Sequence, residues 1–499
     1  MQPANLIFFL SDNHNASVMG CSDHAVVETP TMDAIANRGV RFADSYCSST
    51  LCCPSRATIA SGRFPHQTGY WDNCLAYDGR VPSWGHRVRE LGGHTTSIGK
   101  LHFRSTEDDN GFDEEIAPMH IIGGHGALTH LLRYNGSQPS IPGQWDLYWT
   151  DTGVGDTEYQ EYDRAITRHA VDWLQNEGAH RDRPWVLLVS YVSAHPPFRV
   201  PQRFFDKYPP SAMPLPRWYS KDQRPDHPAL EFLRSLRVYQ SMNDAERLRT
   251  IAAGYFGLVS HLDEQIGEVM GAAESLDLLD TTRIMYTSDH GESFGNHGLF
   301  GKNHLLEPAA KVPMLIAGPG LPTGTVVHAP VASVDLYPSI VEGAGGPDTP
   351  EPGLHGRSLW QTAVGGAEPQ SPTRPVFAEF HASASLNASY LWREGNEKLI
   401  YHVNDRAQFY DLATDPTEGT DLLAEDSRTV RDDTVERAGK LELRLRSFIN
   451  PEAVDKQAKA DQAALLEAHG GEAVVRNQPG VVFTPPPGVA PRLEPKSTP

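Results

Sequence analysis

Four short β-rich runs, "NLIFFL" (5–10), "TTSIGK" (95–100), "WVLLVSYV" (185–192) and "RIMYTS" (283–288), constrain this chain more than any other feature. The first and third are near-continuously apolar, the pattern of strands covered on both faces. Helical patterns lie between the four runs. The clearest is "AERLRTIAAGYFGLVSHLDEQIGEVMGAAESL" (245–276), with a break expected around Gly254. Buried strands alternating with helices predict an α/β fold in which a mostly parallel sheet is sandwiched by helices.

A polar cluster follows each run at once: "SDNHN" (11–15), "GKLH" (99–102), "SAHPPF" (193–198) and "SDHGE" (288–292). Open parallel sheets bind ligands beyond the carboxyl ends of their strands, so these four clusters are expected on one rim. Asp12, Asn13, Asp289 and His290 offer carboxylate, amide and imidazole donors suited to one divalent cation. Lys100, His102, His195 and Lys302 (in "FGKNH", 300–304) offer positive or protonatable donors. The combination describes a pocket for a tetrahedral oxyanion ester, and hence transfer of a sulfuryl or phosphoryl group to a nucleophile.

The nucleophile is sought in "SSTLCCPSRATIASGR" (48–63). Pro54 suits a first helical position and Gly62 a helix end, which puts Cys52 and Cys53 at the positive end of a short helix. Backbone N–H groups there favour an anion, and Arg56 adds a fork of donors one turn on.

With 499 residues, 39% of them hydrophobic, the chain can bury one large core and a smaller one. The texture changes near residue 370. The predicted organisation is a catalytic domain over 1–370, a smaller C-terminal α+β subdomain (antiparallel sheet and helix) over 371–450, and a helical then Pro-rich tail over 451–499. The tail reads first as a disordered end and second as an arm wrapping a neighbouring subunit in a homo-oligomer. A formal net charge of −20 argues against nucleic acid or an anionic membrane surface as partner. The five cysteines all fall in the first 74 residues, an odd and loosely spaced set that points to a reducing compartment. "MQPANLIFFLSDN" has no basic n-region and its apolar run is too short for a signal peptide or a span, so a cytoplasmic location is expected.

Cys52, Pro54, Ser55 and Arg56, followed by a helix and "SGR" (61–63), resemble the C-x-P-S-R signature of the sulfatase family in the alkaline phosphatase superfamily. The resemblance extends from "NLIFFLSDN" to "FYDLATDPTEGTDLL" (409–423). It implies that a maturation enzyme oxidises Cys52 to formylglycine, with Cys53 as variable filler, and that the aldehyde hydrate attacks sulfur and later expels sulfate. It assigns Asp12, Asn13, Asp289 and His290, with the residue at Cys52, to one divalent metal. By the same likeness Arg56 and Lys100 hold the hydrate and His102 is the base on its second hydroxyl. His195 and Lys302 bind sulfate and assist the leaving group, and Asn73 contacts the anion. Asp12-Asn13 and Asp289-His290, where many sulfatases carry Asp-Asp and Asp-Asn, resemble the choline-sulfatase and phosphonate-monoester-hydrolase branch. An imidazole ligand leaves the metal open between Ca²⁺ and Mn²⁺. The implied substrate is a small-molecule sulfate ester (choline, aryl or sugar sulfate), with a phosphonate monoester or phosphodiester as the alternative. Trp71, Trp145, Tyr148 and Trp149 are the aromatic candidates for a cationic leaving group, and 118–146 is the stretch expected to set substrate choice.

Overall fold

The computed structural model describes residues 2–132, 151–235, 244–347, 351–365, 374–424, 432–478, 481 and 483–492. Its centre is an eight-stranded sheet. In chain order the strands are β1 (Asn5–Ser11), β2 (Gly39–Phe42), β3 (His94–Lys100), β4 (Glu114–Met119), β5 (Trp185–Ser190), β6 (Thr282–Ser288), β7 (Met314–Ala317) and β8 (Thr325–Val327). They lie side by side as β8-β2-β7-β6-β1-β5-β3-β4, and only β7 runs against its neighbours. All four β-rich runs are therefore strands, and three of them sit together at the centre with the fourth next to them.

Side chains of a strand alternate between faces, and β1 feeds both cores. Leu6, Phe8 and Leu10 pack on one face with Ala57, Ile59 and Ala60 of helix α1 (Cys52–Ser61). Ile7 and Phe9 pack on the other with Ile166 and Trp173 of α2 (Glu158–Asn176) and with Leu262 and Ile266 of α3 (Ala245–Ser275). The expected α/β sandwich follows from this double burial. Helix α3 runs unbroken through Gly254, against the expected break. A Cβ at that position would come 2.2 Å from the Phe198 carbonyl oxygen, so the glycine serves close packing within the helix.

A second, antiparallel sheet follows: β9 (Val376–Phe380), β10 (Ser389–Glu394), β11 (Glu397–His402) and β12 (Gln408–Asp411). Helix α4 (Asp432–Phe448) packs on β10 and β11, and α5 (Pro451–Ala468) continues toward the tail. Buried ion pairs tie this sheet to the main one, among them Lys398 Nζ to Glu307 at 2.8 Å and Arg393 to Asp44 at 2.9 Å.

Glu379 on β9 makes another such tie. Its buried carboxylate accepts the His66 N–H at 2.9 Å, His66 Nδ1 at 2.9 Å and His381 Nε2 at 2.8 Å. Burial alone would raise its pKa, but the His66 charge and the histidine hydrogen bonds outweigh that and hold it at about 2. The same contact outweighs desolvation at His66 and raises its pKa. The carboxylate's contribution is present above its ordinary value of 4.5 and is lost as pH falls from there toward 2. The histidine's is present below 6.5 and is lost as pH rises through its raised value. Glu379→Gln is expected to cost about 1.5–3 kcal/mol in urea unfolding at neutral pH and to flatten both limbs of the stability–pH curve.

Candidate active site

The register of the central strands builds the site. Ser11 of β1 pairs with Ser288 of β6, Leu10 with Ser190 of β5, and Ser190 with Gly99 of β3. The residues that leave these strands are thus neighbours, and Asp12, Lys100 and Asp289 meet over the sheet's carboxyl edge. The Asp289 N–H donates to the Ser11 carbonyl at 3.1 Å and the Asp12 N–H to that of Ser193 at 3.2 Å, which fixes both turns.

Helix α1 brings Cys52 to the same place. The helix begins at Cys52, so Pro54 is its third residue rather than its first, and Gly62 ends it in the left-handed conformation with φ of 67°. The Cys53 N–H goes to Asn73 Oδ1 at 3.0 Å and Pro54 has none to give, so fewer backbone donors face an anion here than the sequence suggested. Side chains supply the positive charge instead. Lys302 Nζ lies 3.0 Å from Cys52 Sγ, 2.8 Å from Asn13 Oδ1 and 3.8 Å from Asp12. Lys100 Nζ donates to Asp12 Oδ2 at 2.6 Å.

Arg56 is turned underneath the cluster. Nε donates to Asp289 Oδ2 at 2.8 Å, and the terminal nitrogens reach Asp12 at 3.4 Å, the Lys100 carbonyl at 2.6 Å and Ser190 Oγ at 3.0 Å. Its four bonds go to the acidic residues and their strands, so it braces the carboxylates where the sequence pointed to an anion. Burial and the Asp12 charge push Asp289 up to about 6. Asp12 stays well below the carboxylate range despite its burial, because Lys100 and Lys302 stand beside it.

Ligand atoms of Asp12, Cys52, Asp289 and His290 all lie within 4.8 Å of one another, and all four residues are buried. His290 Nε2 is 3.3 Å from Cys52 Sγ, 3.7 Å from Asp12 and 3.5 Å from Asp289. Two carboxylates and a ring nitrogen this close, with the Asn13 amide oxygen beside them, have the size and donor chemistry of one divalent ion's coordination sphere. The residues fit a metal.

Above Cys52 opens a pocket of about 100 Å³, lined in part by Asn73, Lys100, His102, His195 and Lys302. His102 holds its ring with Nδ1 3.5 Å from Cys53 Sγ and Nε2 2.9 Å from Thr484 Oγ1. His195 is anchored through Nδ1 to the Pro196 carbonyl at 2.8 Å, which leaves Nε2 for exchange of a proton. Burial, then Lys100 for His102 and Lys302 for His195, push both imidazoles well below their ordinary value, so both rest neutral.

Other residues of the site escaped the sequence reading. Asp163, pushed up to about 6 by burial, accepts the Val192 and Ser193 N–H groups at 2.8 and 2.9 Å and so holds the turn that presents His195. Asp72 and Tyr159 join the pocket wall. Nothing in the residue types around Tyr159 and Asp163 marked either as part of a site, since helices bury polar residues for many reasons. The tail also corrects its first reading. Phe483 lies edge-on to the His195 ring at 4.9 Å between centroids, and Tyr159 donates its hydroxyl to the Thr484 carbonyl at 2.7 Å. The described part of the tail is irregular, as its prolines require, yet it packs on the pocket of its own chain. Of the aromatic candidates, Trp71 is buried against His381 and donates to Asp461, away from the pocket wall. Trp145, Tyr148 and Trp149 lie outside the described residues, while Ile121, Ile122, Gly126, Ala127 and His130 of the 118–146 stretch line the pocket.

Comparison with known proteins decides the family. Residues 4–346 match the pattern of the family described as Sulfatase. The chain belongs to the sulfatase family. Residues 295–442 also match the C-terminal region of N-sulphoglucosamine sulphohydrolase. The chain is 30% identical over 432 residues to a choline-sulfatase of Rhizobium meliloti (strain 1021), covering 84% of this chain and 82% of that one. It is 28% identical over 440 residues to human arylsulfatase K, covering 84% and 78%. Among solved structures, a phosphonate monoester hydrolase of Agrobacterium radiobacter superimposes with a TM-score of 0.69 at 22% identity, over 88% of this chain and 96% of that one. A protein bound to its substrate D-glucosamine-2-N,6-O-disulfate superimposes with a TM-score of 0.71 at 22% identity, over 92% and 99%. The sulfatase is accordingly a sulfuric ester hydrolase, of a family that uses a metal ion and formylglycine.

Proposed function

We propose that this sulfatase hydrolyses compact sulfate esters at Cys52, after its conversion to formylglycine. The observation that carries the reading is the surroundings of Cys52 Sγ: Lys302 Nζ at 3.0 Å, His290 Nε2 at 3.3 Å and a small pocket directly above. Asp12, Asn13, Asp289 and His290 would hold a divalent ion, Ca²⁺ or Mn²⁺, which would supply positive charge to sulfate oxygens, and formylglycine in its hydrated form would supply a hydroxyl nucleophile.

The chain's own residues do the rest. Lys100 and Lys302 bind sulfate oxygens while neutralising Asp12. Arg56 keeps Asp12 and Asp289 together. Asn73, whose amide oxygen is taken by the Cys53 N–H, has its NH₂ left for the anion. Neutral His102 takes the proton of the second hydroxyl at Nε2, in exchange for its bond to Thr484 Oγ1. His195 must be charged to serve the leaving group, and the negative ester beside it provides the pull. Cys52 is 2% exposed, so the maturation enzyme has to act before the chain closes. No disulfide joins the five cysteines, in keeping with the reducing, cytoplasmic setting proposed here.

Asp72, Tyr159 and Phe483 on the wall suit a neutral or cationic leaving group, so choline, aryl and sugar sulfates are the substrates to compare. A phosphonate monoester is the second reading, favoured by the charge balance: Arg56, Lys100 and Lys302 against Asp12 and Asp289, plus one divalent ion, suits a monoanion of either element. The test is kcat/KM for an aryl sulfate against an aryl phosphonate monoester on matured enzyme. Preference for the sulfate supports the reading, and preference for the phosphonate makes sulfate turnover a side activity.

Phe483→Ala is expected to raise kcat/KM for a bulky aryl sulfate about 10-fold relative to a small alkyl sulfate. An unchanged ratio would remove the tail from the pocket wall. Light scattering before and after deletion of residues 477–499 tests a homo-oligomer held through the tail, which an unchanged oligomeric state would reject.

A further inference from the structure

Glu292 closes the "SDHGE" cluster but has no part in the reading above. It is 0% exposed and lies outside the group of ligand atoms around Cys52. Oε1 accepts the N–H groups of Phe294 at 2.9 Å and Gly301 at 2.6 Å, and Oε2 accepts Asn13 Nδ2 at 2.6 Å. Three donors converge on one carboxylate.

The amide of Asn13 has two chemically opposite ends, and nothing in its own sequence neighbourhood says which faces the cluster. A carboxylate only accepts, so Glu292 claims the NH₂ end. The oxygen is then driven to the other side, where Lys302 Nζ meets it at 2.8 Å. The Gly301 bond anchors the residue before Lys302 to the same group.

We propose that Glu292 is a positioning residue: it locks the Asn13 amide with its oxygen toward the metal cluster and sets the backbone from which Lys302 reaches in. The proposal rests on reading Asp12, Asn13, Asp289 and His290 as the metal site. Glu292 acts only through Asn13 and Lys302.

The test is a double-mutant cycle read by isothermal titration of Mn²⁺ into the chelator-treated full-length protein, with thermal unfolding as a check of folding. Glu292→Gln is nearly isosteric but puts an NH₂ among three donors, and Mn²⁺ affinity is expected to fall about 10–100-fold. Asn13→Asp in the native background sets two carboxylates face to face and is also expected to weaken binding. In the Glu292→Gln background the same change is expected to restore affinity, because the new aspartate accepts from Gln and from Lys302 at once. This reversal of sign is the signature of donor–acceptor matching, and a merely structural role does not produce it. Wild-type affinity in folded Glu292→Gln, or the same effect of Asn13→Asp in both backgrounds, overturns the proposal while leaving the metal site standing. If the wild-type protein itself takes up no Mn²⁺ or Ca²⁺, the metal reading fails and the proposal falls with it.

Discussion

Cys52→Ala is expected to lower kcat/KM for sulfate esters about 10⁴-fold or more while the protein stays folded. Cys52 lies at the start of α1 with its sulfur against Lys302, His290 and, at 4.0 Å, Asp12. Truncation removes the nucleophile and one member of the ligand cluster but leaves the carboxylates braced by Arg56. Cys53→Ala is the matched control. Its thiol lies 3.3 Å from the His102 carbonyl and 3.5 Å from the His102 ring, so its loss loosens that ring without removing the nucleophile, and activity is expected to fall far less than in Cys52→Ala. Steady-state kinetics, circular dichroism and peptide mass analysis of residue 52 check the pair. If the alanine variant kept sulfatase activity, or if Cys53 proved to be the converted residue, the placement of the nucleophile would be wrong.

Arg56→Met is expected to be the most destabilising single change at the site, costing about 3–5 kcal/mol in urea unfolding, because it leaves the buried Asp289 carboxylate without the cation that pairs with it, whereas Asp12 keeps Lys100. The guanidinium is 2% exposed and links Asp289, Asp12, the Lys100 carbonyl and Ser190, which belong to four turns or strands around the central sheet. Saturating divalent metal should recover part of the loss by supplying charge between Asp12 and Asp289. A variant as stable as the parent, with or without metal, would show that Arg56 braces nothing.

Much of the fold was legible because apolar runs of strand length between helices admit few arrangements. The position of each polar cluster directly after a strand was legible for the same reason. What local pattern could not carry was direction. Arg56 reads as a donor toward an anion, yet in space it turns beneath the sheet edge to Asp12 and Asp289. Gly254 reads as a helix break, but the close approach of the Phe198 carbonyl makes it a packing residue. The tail's prolines correctly forbade helix and strand, and irregular chain was then mistaken for chain without a place.

By itself the sequence determined the α/β sheet, the family signature around Cys52 and the set of donors gathered at one rim, since residue type and spacing are properties of the chain alone. Only the tertiary structure decided which donor faces which acceptor: Glu292 on Asn13, Asp163 behind His195, and Thr484 on His102. Those contacts join positions up to 382 residues apart, and they depend on strand register and side-chain direction, which no local pattern encodes.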